Sequence, residues 1–340
     1  MKEPEISIII LTWNALHHLK RFLPSLEKHT PAYAEIIIAD NASTDGTARY
    51  VRDTYPRFRH LLFDENYGYC KGNNLAAGKA LGKYILILNN DVDVSEGWLD
   101  PIMNLLRSDE QIAVVQPKLR SADQPDHFEY GGAAGGMLDT FGYPFCRGRV
   151  FDTLEKDTDQ YDAEADIFWA SGAAFAVERQ LFLSYGGFEE QFEFHMEEID
   201  LCWRFLNSGY TIRYCPDSVV YHLGGGSLPT GSYRKVYFNY RNNLAMMYRN
   251  LTGLALLTRL PVRIVLDYVS ALRSLLLGEF TVFRAIFHAH FSFIGWLPDL
   301  RRQRKKLKQQ RTVFTDPPVL WKGSVVWKYF VQGKKNYSKF

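Results

Sequence analysis

The sequence has few cysteines and no long apolar run. Its 340 residues include four widely separated cysteines and no Cys-x-x-Cys pair: Cys70, Cys146, Cys202 and Cys215. This spacing argues against a zinc ribbon and a disulfide framework, and a reducing, cytoplasmic setting is expected. No uninterrupted apolar stretch reaches the roughly 18 residues that a transmembrane helix needs, so no membrane span is predicted. The N-terminal stretch, with its early Glu3 and Glu5, is not expected to be a signal peptide.

Charge is nearly balanced over the whole chain but uneven along it. The 40 Lys and Arg and 38 Asp and Glu give a net charge of +2. Residues 301–340 hold 12 of the basic residues and one acid, Asp316, which leaves 28 basic and 37 acidic residues in 1–300. An acidic body therefore carries a basic tail. Nucleic acid is not expected as a partner, since only this tail would favour it.

Apolar runs alternate with helical patterns through the first 120 residues. The runs at 6–13 and 35–40 are continuous and β-branched, which is typical of buried parallel strands. This alternation predicts an α/β fold with ligands beyond the carboxyl ends of the strands. Residues 121–165 lack periodicity and are predicted to form a long loop or a small β-element. Residues 211–227 are predicted to form two short strands, and the chain turns helical from about residue 231.

Two aspartates, Asp91 and Asp93, follow the apolar run 84–88. Residues i and i+2 leave a strand on the same side, so these carboxylates repel each other unless a cation lies near them. Divalent cations such as Mg²⁺ and Mn²⁺ favour oxygen ligands. The pair alone is equally consistent with an acidic turn. Because Asp40 ends the run 35–40 in the same way, a ligand site is favoured.

Four motifs occur together, at 37–47 (IIADNASTDGT), 89–93 (NNDVD), 195–204 (HMEEIDLCWR) and 219–227 (VVYHLGGGS). In this order they resemble the family 2 glycosyltransferases, and rhamnosyltransferase-like members in particular. The resemblance implies the GT-A nucleotide-binding fold, a mostly parallel mixed sheet flanked by helices, here with a helical, basic C-terminal extension. It divides the chain into a nucleotide-sugar-binding part, an acceptor-binding part and a helical amphipathic region, at 1–120, 121–243 and 244–340.

The resemblance also implies a function. It is a metal-dependent, inverting transfer of a sugar from a UDP-, dTDP- or GDP-sugar to a glycan or lipid-linked glycan acceptor, in bacterial cell-surface polysaccharide synthesis. Mg²⁺ or Mn²⁺ would be bound by Asp93, Asp91 and His222. The donor nucleotide would be bound by Thr12, Asn14, Asp40, Lys71, Asn73 and Asp91. The acceptor pocket would be bordered by Trp169, Ser171 and Gly172.

The catalytic base is expected at the start of a helix that holds Glu197, Glu198 and Asp200. Alignment with the family's Glu-Asp motif puts Glu198 at the base position and Glu197 just before it. A Glu replaces the more usual Asp here, so it stays open which of the two is the base. The helix dipole is the better explanation of Asp200, which is also placed to pair with Arg204 at i, i+4.

Several of these positions have a structural alternative. His222 could be a structural histidine, although Gly224, Gly225 and Gly226 after it would let the backbone approach a phosphate. Trp169 could equally be a core residue. Lys71 could be a solvated lysine. Asn41 and Ser43 are better explained as turn and cap residues.

The C-terminal region suggests a surface partner. Residues 244–300 combine apolar residues with spaced arginines, and 301–311 contain seven basic residues in eleven. Amphipathic helices with a polybasic segment favour anionic lipid, so peripheral binding to the inner face of the cell membrane is expected. A homodimer or a packing domain is the alternative. For the protein as a whole, the alternative is a non-catalytic nucleotide- or glycan-binding protein with the same fold.

Overall fold

The computed structural model describes residues 3–224 and 231–340. Within them it contains thirteen strands and nine α-helices. In chain order these are β1 Ile6–Thr12, α1 Leu16–His29, β2 Ala34–Asp40, α2 Thr47–Thr54, β3 Arg59–Leu62, α3 Gly68–Lys79, β4 Tyr84–Leu88, β5 Val92–Val94, α4 Leu99–Ser108, β6 Ile112–Ser121, β7 Gly136–Leu138, β8 Pro144–Cys146, β9 Arg149–Val150, β10 Thr153–Leu154, β11 Ala165–Asp166, β12 Ala174–Glu178, α5 Arg179–Ser184, α6 Glu197–Leu206, β13 Thr211–His222, α7 Tyr233–Asn250, α8 Gly253–Leu276 and α9 Phe280–Gln310.

One mixed sheet forms the centre of the molecule. Its strand order is β11-β13-β6-β12-β4-β1-β2-β3, and β5 pairs with the end of β13. β1, β2, β3 and β4 run parallel, β13 runs parallel to β6, and β12 lies antiparallel between β4 and β6. The carboxyl ends of β1, β2, β4, β6 and β13 therefore meet at one edge, because two successive antiparallel pairings restore the direction.

Both faces of this sheet are covered by helices, as the continuous apolar strands predict. Ile8 and Ile10 of β1 pack on the side of α1, α2 and α4, whereas Ile9 packs on the side of α3, α5 and α6. α1 continues through Pro24, which lies on its exposed side. The expected sheet flanked by helices is confirmed.

The region that lacks periodicity contains a small β-element. β7, β8, β9 and β10 form a separate four-stranded antiparallel sheet between β6 and β11. The prediction of two short strands in 211–227 was wrong. β13 is one strand, because its parallel pairing with β6 resumes after an irregularity between Cys215 and Val219.

The C-terminal region is helical, as expected. α9 packs along α7 and against α8. Judged by length and hydropathy, none of the helices in the described residues could cross a bilayer. The division into three parts stays a prediction, and its boundaries at 120/121 and 243/244 fall inside β6 and α7.

Candidate functional site

Most of the expected site residues lie at the carboxyl edge of the central sheet. Thr12 and Asp40 are the last residues of β1 and β2 and pair in register. Asp91 follows β4, and His222 is the last residue of β13. The sequence places these side chains there because each one ends an apolar strand or follows it within three residues.

Asp91 and His222 form the first polar centre of this edge. Asp91 Oδ1 lies 3.1 Å from His222 Nε2, and both side chains are buried. The other ring nitrogen, Nδ1, lies 3.3 Å from Oε1 of buried Glu129. Burial lowers the pKa of His222, but the carboxylates of Glu129 and Asp91 outweigh it and raise that pKa to about 10. Burial raises the pKa of Asp91, and the hydrogen bond and charge of His222 reverse this and hold it below its ordinary value.

Glu129 was not predicted from the sequence. It lies in the irregular segment between β6 and β7, where no pattern marks it. Its Oε2 accepts a 2.5 Å hydrogen bond from the Gly131 N–H. A side chain at Gly224, which has a positive φ of 66°, would come within 2.8 Å of Glu129 Oε1, so the backbone after His222 passes close to this carboxylate. Gly225 and Gly226 of the same expected motif lie outside the described residues.

Asp93 lies in β5 and pairs with Tyr221 of β13, the residue before His222. Val92 and Val94 are buried, whereas Asp93 is half-buried, because alternate residues of a strand face opposite sides. Its Oδ1 accepts a 3.1 Å hydrogen bond from the Val94 N–H.

The carboxylate oxygens of Asp91 and Asp93 fit Mg²⁺ or Mn²⁺ in chemistry, and the His222 ring would join them as a ligand only by releasing the proton that its raised pKa favours. These three side chains are not gathered around one point. Among the described residues, the three-membered group whose ligand atoms lie within 4.8 Å of one another is Asp157, Asp159 and Asp162. Asp157 in that group already pairs with a lysine and an arginine, Lys118 and Arg120.

The loops after β1 and β2 are tied together by side chains that were expected to bind nucleotide. Asn14 Oδ1 accepts a 2.7 Å hydrogen bond from the Thr44 N–H, and the Asn14 N–H donates to Ser43 Oγ at 2.9 Å. Asp40 Oδ1 accepts a 2.9 Å hydrogen bond from the Ser43 N–H. Thr12 Oγ1 accepts one from Asn90 at 3.3 Å. Asp40 and Thr12 are buried, and Asn14 is exposed.

α3 carries the two remaining residues of the expected nucleotide site. The Lys71 ammonium lies 4.2 Å from the centre of the Tyr67 ring, which accounts for its position without a phosphate. Asn73 is buried and donates to the Tyr69 carbonyl at 3.0 Å, while its Oδ1 has no hydrogen-bond partner. A buried amide oxygen without a donor is a candidate acceptor for a ligand.

Glu197 and Glu198 form the second polar centre, at the first turn of α6. Glu197 is buried and Glu198 is half-buried, and one buried carboxylate oxygen of each has no hydrogen-bond partner. Burial, followed by the charge of Glu198, raises the pKa of Glu197 well above its ordinary value. Burial raises the pKa of Glu198 to about 7. Burial therefore favours the protonated form of both carboxyl groups, and the pKa of Glu198 lies near neutral pH.

Tyr69 lies between the two polar centres. Its pKa is raised well above its ordinary value, first by burial and then by the negative charges of Glu197, Glu198 and Asp91. The Tyr69 hydroxyl donates a 3.0 Å hydrogen bond to the Gly172 carbonyl. Asp91, Glu197 and Glu198 are therefore all close enough to affect one phenol, which the sequence did not indicate.

The loop before α6 is held by α7. Glu193, His195 and Met196 have positive φ angles of 62°, 66° and 73°, a conformation that costs free energy for residues with a Cβ. The Asn242 amide nitrogen donates to the carbonyls of Phe192, Phe194 and His195 at 2.9, 2.7 and 3.0 Å. Asn242 belongs to the segment YFNYRNN, and its clamping role could not be read from that segment.

Asp200 has the structural role that was expected. Its Oδ2 accepts a 2.9 Å hydrogen bond from Arg204 Nε, and its Oδ1 accepts a 2.8 Å hydrogen bond from Asn250. It is fully buried. This network joins α6 to the end of α7.

The expected acceptor residues are largely enclosed. Trp169 is buried, its ring covers the Gly136 backbone, and its Nε1 donates to the Met137 carbonyl at 2.9 Å, so its burial supports the core alternative. Ser171 is also buried and donates to the Gly131 carbonyl. Gly172 is half-buried below Tyr69.

Comparisons with known proteins show which family and which fold this chain resembles. Residues 7–175 match the model of the family described as glycosyl transferase family 2. Over 235 residues, the chain is 28% identical to the N-acetylglucosaminyl-diphospho-decaprenol L-rhamnosyltransferase of Mycobacterium tuberculosis (strain CDC 1551 / Oshkosh). That alignment covers 64% of this chain and 75% of the relative.

Two solved structures resemble the fold of this chain. GalNAc-T7 with UDP, GalNAc and Mn²⁺ matches with a TM-score of 0.58 at 18% identity, over 73% of this chain and 48% of that one, so this chain spans about half of it. The mannosyltransferase PcManGT from Pyrobaculum calidifontis, in complex with GDP-Man and Mn²⁺, matches with a TM-score of 0.52 at 16% identity. That match covers 86% of this chain and 88% of the mannosyltransferase. At these identities the likeness concerns the fold, and the expected GT-A fold is confirmed.

Proposed function

Because this chain belongs to glycosyl transferase family 2 and is a glycosyltransferase, we propose that it moves a sugar from a nucleotide-sugar donor to a lipid-linked glycan. The reaction is metal-dependent and inverting and serves bacterial cell-surface polysaccharide synthesis. The related rhamnosyltransferase is named for a diphospho-decaprenol acceptor, which supports a lipid-linked acceptor here. A glycan that carries no lipid is the other acceptor that we propose.

The observation that carries the proposal is the state of Glu198. It is half-buried, has one carboxylate oxygen without a hydrogen-bond partner, and has a pKa raised to about 7. A general base works best when its pKa is near the operating pH. Glu198 rather than Glu197 is the proposed base, because Glu197 is more deeply buried and its pKa is raised well above its ordinary value.

The reaction then requires one displacement. Glu198 removes the proton of the acceptor hydroxyl as its oxygen attacks the anomeric carbon of the donor sugar. The bond from that carbon to the diphosphate oxygen breaks, and its electron pair leaves with the nucleoside diphosphate. Attack from the face opposite the leaving group inverts the anomeric configuration.

Asp91, Asp93 and His222 would hold a divalent cation, which stabilises the negative charge of the departing diphosphate as a Lewis acid. The nucleoside would bind at the carboxyl ends of β1 and β2. Asp40 supports this role because it is buried and, among the described residues, its side chain accepts a hydrogen bond at Oδ1 alone, from the Ser43 N–H. Asn73 Oδ1 is a further acceptor without a partner.

Donor binding is tested first by thermal shift with UDP, dTDP and GDP, each with Mn²⁺ and with EDTA. A ligand at about 100 times its dissociation constant should stabilise the folded chain by about 2.7 kcal/mol. We expect one nucleotide to stabilise the chain, and only with metal. If none of the nucleotides has an effect on folded protein, the proposed donor site is wrong.

Glu198→Gln then separates an enzyme from a non-catalytic binding protein. Loss of the base should slow transfer by roughly 10²- to 10⁴-fold, while donor binding stays within about threefold. Glu193→Gln is the matched control, because Glu193 is an exposed acid on the preceding loop. Equal transfer rates for both variants would remove Glu198 from the mechanism.

Peripheral membrane binding is supported by α8, which has its polar residues inside and its apolar residues outside. Arg263, Asp267 and Ser274 are buried, and Arg263 Nε donates to Asp267 Oδ1 at 2.7 Å. On the outer face, Leu254, Leu257 and Leu276 are 76%, 73% and 79% exposed. Among the exposed residues of α8, the only charged one is Arg273.

α9 adds basic residues beside this apolar face. Along one side of α9, exposed residues recur every three or four positions and change from apolar to basic: Phe291, Ile294, Pro298, Arg302 and Lys305. Anionic headgroups suit this combination, since apolar side chains enter the interface and cations remain at its surface. The inner face of the cell membrane is the proposed location.

Co-sedimentation tests this location. Full-length protein is mixed with vesicles of phosphatidylcholine, with and without one quarter phosphatidylglycerol. Leu257→Glu should weaken binding to the anionic vesicles by more than about tenfold, since it loses apolar burial and adds a repelled charge. Leu62→Glu is the control, because Leu62 is 66% exposed in β3. If Leu257→Glu instead converts a dimer to a monomer and changes no vesicle binding, α8 is a homodimer surface.

A further inference from the structure

A cavity lies at the C-terminal end of α6, away from Glu197 and Glu198 at the start of that helix. Its volume is about 370 Å³, and it is formed by the C-terminal ends of α6, α7 and α9 with the segment after α9. Five basic side chains line it: Arg204, Arg249, Arg304, Lys308 and Arg311. Among the described residues, no acidic side chain lines this cavity.

The two inner cations are already neutralised. Arg204 pairs with Asp200, and Arg249 Nη1 lies 2.7 Å from Glu189 Oε2. Even so, Arg249 Nε is buried and has no hydrogen-bond partner, and the side chain is only 5% exposed. A buried guanidinium N–H at a cavity wall needs an acceptor, which a bound anion or water would supply.

The outer cations have no carboxylate partner in the part of the chain that the structure describes. Arg304 donates to the Tyr248 carbonyl, and Arg311 donates to the Asn250 carbonyl, both at the C-terminus of α7. These bonds satisfy the helix end but leave two like charges side by side. Burial, followed by the charge of Arg304, lowers the pKa of Arg311 to about 10. Lys308 adds a third positive charge at the same wall.

We propose that this cavity binds a phosphate-bearing ligand through Arg304, Lys308 and Arg311. Guanidinium groups match the spacing of phosphate oxygens, and clustered cations favour a multiply charged anion. The volume is that of a small-molecule site and is large enough for a diphosphate. The ligand is either a soluble phosphate compound or a lipid headgroup. The site is separate from the proposed catalytic centre, since Glu197 begins α6 and Arg204 lies in its last turn.

Titration calorimetry with inorganic pyrophosphate tests the proposal. Full-length protein is kept in EDTA, so that a metal-dependent donor site does not contribute. Lys308→Glu is compared with Lys306→Glu, which makes the same change of charge at an exposed residue of α9 outside the cavity. We expect the dissociation constant to rise by at least about tenfold for Lys308→Glu and by less than about threefold for Lys306→Glu. Circular dichroism verifies that both variants fold.

A vesicle-binding experiment distinguishes a soluble phosphate ligand from a lipid headgroup. Phosphatidylcholine vesicles with one quarter phosphatidic acid are compared with phosphatidylcholine alone. Pyrophosphate binding that depends on Lys308 supports a soluble ligand, and phosphatidic acid binding that depends on Lys308 supports a lipid headgroup. Equal losses for Lys306→Glu and Lys308→Glu, or no binding of either probe, would overturn the proposal. The proposed transferase activity is measured separately and is unaffected by either outcome.

Discussion

The two acidic pairs, Asp91 with Asp93 and Glu197 with Glu198, differ in their surroundings. Asp91 of the first pair contacts His222, which also contacts Glu129. Glu197 and Glu198 of the second pair have no basic partner in the described residues and one unsatisfied oxygen each. The pKa of Asp91 is therefore held low, whereas the pKa values of Glu197 and Glu198 are raised.

This difference shows how one residue type serves two chemical tasks. A carboxylate that keeps its charge suits a cation, and a carboxylate that titrates near pH 7 suits proton transfer. Burial is common to both pairs, so it does not separate them. The nearby histidine does, because an opposite charge favours the ionised form.

After the loss of the base in Glu198→Gln, the largest expected effect comes from removing the charge of the first pair. Asp91→Asn should lower transfer by roughly 10²- to 10³-fold, because a cation and His222 both lose a negative partner. Metal-dependent stabilisation by the nucleotide should disappear in the thermal-shift assay. Asp53→Asn is the control, since Asp53 makes only exposed ion pairs. Wild-type metal dependence in Asp91→Asn would contradict the assignment.

The next effect concerns the position of the second pair. Asn242→Ala leaves the carbonyls of Phe192, Phe194 and His195 without their donor, which should cost about 2–3 kcal/mol of unfolding free energy. Urea denaturation measures this, and transfer should fall as the start of α6 loses its support. Exposed Asn104→Ala should change stability by less than about 0.5 kcal/mol. Equal stabilities would mean that the clamp is not needed.

The pH dependence of stability tests the raised pKa of Glu198 directly. Its ordinary pKa is 4.5, and the folded value is about 7. The unfolded chain therefore ionises first, so the contribution of Glu198 to stability is fully present below pH 4.5 and is lost as the pH rises through 7. As the pH rises from 5 to 8, the free energy of unfolding of Glu198→Gln, measured by urea denaturation, should increase by about 2 kcal/mol relative to that of wild type. Parallel curves for the two proteins would show that the pKa of Glu198 is ordinary.

The smallest effect is expected for the other member of the pair. Since burial raises the pKa of Glu197 well above its ordinary value, Glu197→Gln keeps the size and the neutral form that this burial favours. Transfer should remain within about tenfold of wild type, and the rate should still rise with pH through about 7. If the transfer rate no longer rises with pH in Glu197→Gln but still does so in Glu198→Gln, Glu197 rather than Glu198 is the base.

The central sheet could be predicted because its strands are locally unambiguous. Continuous apolar runs such as 6–13 predicted buried strands, and Asp40 and Asp91 were correctly expected at strand ends. β13 was predicted as two strands, because Pro216 and Asp217 interrupt its pattern. The pairing with β6 on both sides of the interruption was not visible in the local sequence.

The outward apolar face of α8 could not be predicted in that form. The sequence predicts an amphipathic helix, and the usual expectation is that its apolar side faces the core. Here Asp267 and Arg263 are buried, because they pair with each other and Asp267 lies 3.3 Å from His290 of α9. Which side faces inward depends on these long-range partners.

The sequence by itself determined which residues reach the edge of the sheet. Parallel strands share their carboxyl edge, so a polar residue that ends an apolar run is placed there by local pattern alone. Only the tertiary structure decided what these residues do, because burial and charged neighbours set each pKa. His222 contacts Asp91 and Glu129 from distant segments, whereas burial is the largest influence on the pKa of Glu198 and only backbone N–H groups of its own helix turn oppose it. Such contacts depend on distances in space, which local sequence patterns do not encode.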